Sequence, residues 1–329
     1  MKNSVFYCVD KGVFSKKTID LPEQLYSDYA LIKYLFCGIC GGDYSTYIGR
    51  RTSYPISLGH EFVAEVISIG DNVENVHPGQ YVVSDLNYRC ENCDYCKHQK
   101  SHLCIENNVQ KFSNRAYAQH GIIHKKYLYK INMHNYLQRA CFIEPLSCVI
   151  HAIDMFHPPI DMPLLINGVG SIGSMMVFYL HVILHYKYIY INDTNTFRIN
   201  NIMHCFKVKQ YAKNATPPMF IIDCTNDVEG VKDILQLAPQ GASLCIMSHL
   251  YGENTSFIYE ALCRKEIQAI FPLRNGNAKN IYFAIEYIEK YWSSDMDLLY
   301  TIDNDINRIF QAKKYSPFNK QIFDAQNAF

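Results

Sequence analysis

The sequence predicts an α/β protein in two parts: a β-rich part, and a doubly wound parallel sheet with helices on both faces. Three observations carry this. The first third consists of short β-branched and aromatic runs separated by turn residues. From Pro163 onward, apolar strand-like runs alternate with helical stretches. Between the first such strand and its helix stands Gly168-Val169-Gly170-Ser171-Ile172-Gly173. A chain of 329 residues has room for about two domains. With 49 % apolar and 19 % charged residues it can bury a sizeable core.

In the first third, Val5–Val9, Ala30–Phe36, Phe62–Ile69 and Gln80–Ser84 read as strands. Gly41-Gly42, Asp71-Asn72 and Pro78-Gly79 read as turns between them. The loops carry Cys and His. Pro163–Ile166 is then a short apolar strand, and Ser174 to about His185 a helix. Tyr188–Ile191, Met219–Asp223, Ser243–Met247 and Ile267–Phe271 follow as strands. Phe197–Cys205, Val228–Leu237 and Phe257–Arg264 are the helices between them. That alternation gives a parallel sheet. One further helix, Ile281–Trp292, precedes short strand-like pieces at the end. It reads as core or subunit interface.

Lys plus Arg number 31 and Asp plus Glu 31, so the formal net charge is zero. A general nucleic-acid binder needs a basic excess, and a polybasic membrane anchor needs one too. The apolar stretch Ile172–Ile191 is broken by His181, His185 and Lys187, which fits a buried helix and strand better than a membrane span. Met1 to Leu21 carries charges throughout and has no apolar core segment, so a secretory leader is not expected. The expected compartment is the reducing cytoplasm. Its thirteen cysteines are then metal ligands and buried thiols rather than disulfides.

Cys90, Cys93, Cys96 and Cys104 form C-x2-C-x2-C-x7-C. Four thiolates from one loop suit a closed tetrahedral zinc site. An iron–sulfur cluster also takes four thiolates. No recognition-helix pattern accompanies the loop, which argues against a nucleic-acid finger. A closed shell leaves no position for chemistry, so its contribution is to folding.

Cys40, the His60-Glu61 pair and Glu144 offer a second, mixed donor set. A catalytic zinc needs firm protein ligands and one exchangeable position, and this set can supply that. The same residue types also occur as ordinary structural residues. Cys37, close to Cys40, reads as a buried thiol.

Gly168, Gly170 and Gly173 follow a strand and open a helix, the setting that a dinucleotide fingerprint requires. Ser171 and Ile172 complete the loop, whose helix N-terminus stabilises a pyrophosphate. Asp193 lies twenty residues after Gly173, where a carboxylate accepts from the ribose 2′-hydroxyl of NAD. Arg198 is placed to reach a 2′-phosphate, which keeps NADP open.

Together these features resemble the zinc-containing medium-chain dehydrogenases. The resemblance covers nearly the whole chain. Its most specific pieces are Gly38-Ile39-Cys40-Gly41-Gly42-Asp43, Tyr54 to Phe62, the four-Cys loop, Ile143-Glu144-Pro145-Leu146-Ser147 and the glycine loop. The Glu-Pro-Leu-Ser segment and Leu262-Cys263-Arg264-Lys265-Glu266 point to the sorbitol and galactitol-1-phosphate dehydrogenase branch. The resemblance implies a GroES-like catalytic domain from residues 1–145 plus 274–329, with a structural-zinc loop at 90–104. It implies a Rossmann cofactor domain at 146–273. It implies a catalytic zinc on Cys40, His60 and Glu144, with Glu61 ligating or backing it, and a structural zinc on Cys90, Cys93, Cys96 and Cys104. A homodimer or homotetramer is expected.

Several positions depart from the family pattern. Relatives carry Ser or Thr at the position of Gly42, so Ser45, Thr46 or a water chain must move the proton instead. The relatives' substrate-contacting Arg falls at Pro272, with Arg274 two residues on. Asn226 stands where relatives have Gly. The stretch between Asp193 and Asp223 is short, which predicts a missing helix near the adenine pocket. Arg50 and Arg51 read either as a capture point for a substrate phosphate or as a solvated loop. His151 and His249 are candidates for the cofactor cleft, or simply packed side chains.

Three functions follow from this reading. The first is a zinc- and NAD(P)-dependent dehydrogenase of a polyol, sugar or sugar-alcohol phosphate. The second is an amino-alcohol or simple alcohol dehydrogenase resembling threonine 3-dehydrogenase. The third is a nucleotide-binding scaffold with weakened catalysis.

Overall fold

A computed structural model describes the chain except residues 51–53, 86, 88, 107–114, 213–214, 216–217 and 251–254. In chain order the first part runs β1 (Lys2–Asp10), β2 (Val13–Asp20), β3 (Tyr29–Gly38), helix α1 (Gly41–Tyr47), β4 (Ile56–Ser57), β5 (Glu61–Ile69), β6 (Tyr81–Ser84), α2 (Asp94–Lys97), β7 (His120–His124) and β8 (Leu128–Lys130). Then come α3 (Ile143–Phe156), β9 (Leu164–Asn167), α4 (Ser171–Phe178), β10 (Ile189–Asn192), α5 (Thr196–Cys205), β11 (Lys209–Gln210), β12 (Phe220–Asp223), α6 (Val228–Leu237), β13 (Ser243–Ile246), α7 (Ser256–Arg264) and β14 (Gln268–Ile270). The tail adds α8 (Ala278–Tyr291), β15 (Tyr300–Asp303), α9 (Ile306–Ala312) and β16 (Lys320–Asp324).

The strands β9 to β14 form one parallel sheet in the order β11-β10-β9-β12-β13-β14. Every residue of β9 is buried. That is what a sheet covered on both faces requires, and why its strands read as continuous apolar runs rather than alternating ones. A second sheet has the order β15-β16-β3-β5-β6-β8, with β7 also on β3. β16 thus joins strands made nearly a whole chain earlier, and pairs Ile322 with Gly38. A small antiparallel sheet, β2-β1-β4, lies beside it. Among the described residues no helix is long and apolar enough to cross a membrane.

One expectation about local structure is corrected. Gly41-Gly42 is the first turn of α1 and not a loop turn. Cys40 caps this helix, its sulfur accepting from the Gly42 N–H at 3.3 Å, and Asp43 favours the same end electrostatically. The helix expected at Phe197–Cys205 is α5, capped by Asn195, and among the described residues only the two-residue β11 stands between it and β12. Strand β2 was not legible because its Ser-Lys-Lys-Thr run is polar and mostly exposed.

Candidate active site

Cys40 leaves β3 at the N-terminus of α1, while His60 and Glu61 open β5. The approach to His60 needs Gly59, whose φ is +96° and whose missing Cβ would stand 3.0 Å from the Tyr117 backbone nitrogen. The ligand atoms of Cys40, His60 and Glu61 all lie within 4.8 Å of one another. Glu144, in the first turn of α3, borders this group without joining it at that distance. Its Oε1 accepts from the Cys148 thiol at 3.5 Å.

The surroundings call for positive charge. Asp43, 4 % exposed, accepts from the Tyr117 hydroxyl at 2.9 Å and holds Oδ1 3.6 Å from His60 Nδ1. Burial disfavours a charged His60, yet Asp43, Cys40 and Glu144 outweigh it and push its pKa up to about 10. Burial, with Glu61 adding to it against the pull of His60, lifts Glu144 to about 7. A cation held by Cys40 and His60 would satisfy the same field, so the donor set fits zinc.

Glu61 is already paired. Lys320 Nζ, on β16, donates to its Oε2 at 2.6 Å, and the two side chains are 0 % and 2 % exposed. Lys320 reaches over β3 because residue 38 is Gly; a Cβ there would overlap Lys320 Cε and stand 2.8 Å from Glu61 Oε2. Lys320 also donates to Ser171 Oγ at 2.9 Å, which links the acid to the glycine loop.

That loop has the geometry a pyrophosphate needs. Gly168 has φ +89°, and a Cβ on it would come within 2.9 Å of the Thr225 nitrogen. Gly170 caps α4, Ser171 and Ile172 form its first turn, and a Cβ on Gly173 would collide with the Gly168 carbonyl. Asp193 Oδ2 accepts from the Val169 N–H at 2.8 Å. Arg198 does not face a 2′-phosphate. Its Nε donates to the carbonyls of Ser316 and Phe318, each at 3.2 Å, and Nη2 to that of Lys313 at 3.3 Å. α5 turns that side toward the C-terminal segment, where Asn195 and Asn201 also bind carbonyls.

The four-Cys loop closes on itself. Cys90 and Cys96 sulfurs are 4.0 Å apart, and those of Cys93 and Cys104 3.9 Å. A tetrahedron with arms of ~2.3 Å has edges of about 3.8 Å, so one ion fits. A backbone N–H bond at Cys96 is the main cause that lowers the Cys93 thiol to about 6, toward the thiolate a metal binds.

The remaining candidates separate. Neither relay hydroxyl is exposed. Thr46 Oγ1 donates back to the Gly42 carbonyl at 3.2 Å, while Ser45 Oγ accepts from Asn226 Nδ2 at 3.1 Å. Arg50 Nη1 donates to the Asn226 carbonyl at 3.1 Å, which anchors this guanidinium toward the nucleotide-side strand ends. Arg51 lies outside the described residues. Arg274 binds the His102 carbonyl at 3.0 Å, beside the cysteine loop. His151 packs on His102, ring centroids 4.6 Å apart. His249 meets Asn226 through its backbone N–H. Cys37 is buried, as its apolar strand predicts. Sequence reasoning missed Lys320, Asp43 and Tyr117. Lys320 opens the strand Lys-Gln-Ile-Phe-Asp, whose three polar residues gave no sign that its cation is buried.

Residues 26–133 match the alcohol dehydrogenase GroES-like domain. D-arabitol-phosphate dehydrogenase of Enterococcus avium is 32 % identical over 164 residues, 48 % of this chain and 46 % of that protein. The match therefore spans under half the length of that relative. A crystal structure of an alcohol dehydrogenase from Escherichia coli CFT073 with NADH superposes with a TM-score of 0.82 at 21 % identity, covering 98 % of this chain and 99 % of that one. Galactitol-1-phosphate dehydrogenase from Escherichia coli superposes with a TM-score of 0.80 at 19 % identity, over 98 % and 99 % of the two chains. These likenesses give the fold. The GroES-like match and the curated relatives beside them, which include sorbitol and galactitol 1-phosphate dehydrogenases, make the chain similar to zinc-containing medium-chain dehydrogenases over about half its length.

Proposed function

We propose that the chain is a zinc-dependent oxidoreductase that moves hydride between a nicotinamide nucleotide and a secondary alcohol or ketone of a polyol, sugar or sugar-alcohol phosphate. The observation that carries this is the convergence of Cys40, His60 and Glu61 within 4.8 Å, joined through Lys320 to Ser171 of the glycine loop. Relatives named for arabitol phosphate, sorbitol and galactitol 1-phosphate support the substrate class.

When bound, zinc supplies Lewis acidity toward an alcohol oxygen and the nicotinamide supplies the hydride acceptor. Cys40 and His60 would hold the metal, with Glu144 as third ligand. Asp43 orients His60, and Tyr117 orients Asp43. Lys320 fixes Glu61 beside the metal and keeps its charge compensated. Gly168, Gly170 and Gly173 leave room for the pyrophosphate, and Asp193 favours NAD. Ser45 is the hydroxyl placed to pass the proton; Thr46 spends its hydrogen on the helix.

We assign residues 1–145 with 274–329 to the catalytic part, and 146–273 to the nucleotide part; the membership of the two large sheets supports this. A small-molecule partner, a homo-oligomer and a cytoplasmic setting belong to the same reading. The test is reduced-nicotinamide absorbance with a panel of polyols, their phosphates and ketoses, in both directions. Turnover lost on chelation and in Cys40→Ala supports the proposal. Turnover retained in Cys40→Ala refutes it. Nucleotide binding without turnover would favour the scaffold reading, for which Gly42 is the motivating observation.

A further inference from the structure

Asn226 stands just beyond β12, at the carboxyl end of the parallel sheet where open α/β folds bind their ligands. Its φ is +54°, a conformation Asn tolerates better than other side-chain-bearing residues. All four of its polar groups are used. The N–H donates to Ser248 Oγ at 2.7 Å, and Oδ1 accepts from the His249 N–H at 3.0 Å; both partners follow β13. The other two groups face α1. Nδ2 donates to Ser45 Oγ at 3.1 Å, and the carbonyl accepts from Arg50 Nη1 at 3.1 Å. One residue thus ties the nucleotide-side strand ends to the helix that Cys40 caps.

The bond to Ser45 has a direction. Asn226 Nδ2 can only donate, so it occupies a lone pair of Oγ. The Ser45 hydrogen must point elsewhere. Ser45 is 1 % exposed, and among the described residues that hydrogen has no acceptor. A buried donor left unpaired costs free energy, and a ligand oxygen in the crevice removes the cost.

We propose that Asn226 is a positioning residue: it clasps α1 to the nucleotide-side sheet and turns the Ser45 hydroxyl so that its hydrogen meets an oxygen of the bound nicotinamide nucleotide. This rests on the reading that such a nucleotide enters the crevice. It makes nucleotide affinity depend on two side chains from opposite sides of the cleft, acting as one unit.

The test is NADH binding to the zinc-loaded chain, followed by the fluorescence of the nucleotide, with no alcohol present. Four variants are compared with the unaltered chain: Ser45→Ala, Asn226→Gly, their combination, and Asn226→Asp. Gly keeps the positive φ without strain. Each single change should weaken NADH about 2- to 10-fold, the worth of one neutral hydrogen bond. The double variant should be no weaker than the weaker single, because the second change finds nothing left to remove. Asn226→Asp is the readout that packing alone would not move. It keeps the volume but takes the Ser45 hydrogen for itself, so it should weaken NADH at least as much as Asn226→Gly. Additive losses, or an Asn226→Asp chain with unaltered affinity, would overturn the clasp. An unaltered chain that binds no NADH would overturn both this and the proposed function, and is seen before any substitution is made.

Discussion

Replacing Lys320 by Met should cost more stability than any other single change at the site. The side chain is 0 % exposed and its partner Glu61 2 %, so removing it strands a carboxylate where water cannot reach. Breaking such a pair from one side costs about 3–5 kcal/mol. A chain of 329 residues unfolding as one unit has an unfolding entropy of about 0.7 kcal/mol/K, so the melting midpoint should fall by about 4–7 °C. Glu61→Gln should also destabilise, by leaving Lys320 buried without its anion. The combination Lys320→Met with Glu61→Gln should recover most of the loss, because neither charge then remains. The assay is thermal unfolding of all four proteins at pH 7.5, with metal content matched by elemental analysis. If Lys320→Met falls by under 1 °C, or if the double variant shows the sum of the singles, the pair is not the buried, mutually dependent unit described above.

Four further outcomes are expected. Gly42→Ser should raise turnover by up to about 100-fold with the melting midpoint unchanged, since an added Cβ there meets only Cys40 Sγ, at 3.7 Å; initial rates check it. Cys40→Ala and Cys104→Ser should each lose one of two zinc equivalents per chain by elemental analysis, but only Cys104→Ser should lower the melting midpoint markedly. Arg198→Ala should destabilise the chain by breaking its bonds to three carbonyls, without changing the ratio of NAD to NADP affinity. His151 is held down to about 4 by burial first and His102 second, against an ordinary value near ~6.5. Below pH 6.5 the unfolded chain binds this proton and the folded chain does not, so stability present above that pH is lost as pH falls through about 4. His151→Phe should therefore lose less melting temperature between pH 7 and pH 4.5 than the unaltered chain.

Much of the fold was legible because its signals are local. The glycine loop, the apolar strands of the parallel sheet and the four-Cys spacing each declare themselves within about fifteen residues. The donor types at Cys40 and His60 were legible too; the resemblance grouped them, whereas spacing alone could not, since their convergence depends on β3 lying beside β5. What the sequence concealed are side chains whose partners are distant. Arg198 looks like a phosphate ligand by position, yet three carbonyls from residues 313–318 claim it. Arg50 looks like a free basic residue, yet Asn226 engages it from 176 residues away. α1 was misread because Gly-Gly usually marks a turn, whereas here the Cys40 sulfur caps the helix that the pair opens.

The bond between Lys320 and Glu61 spans 259 residues. On a ribosome adding about 5–20 residues per second, the acid exists for roughly 13–52 s before its counter-ion is made. Over that interval β3 and β5 have each other but lack β16, and a carboxylate that will end buried must stay wet. Until then a pocket around Glu61 is less costly open to solvent than closed, because the acid has no cation to pair with. The arrival of β16 closes it. A chain that stopped short of Lys320 would keep an unneutralised acid at its centre.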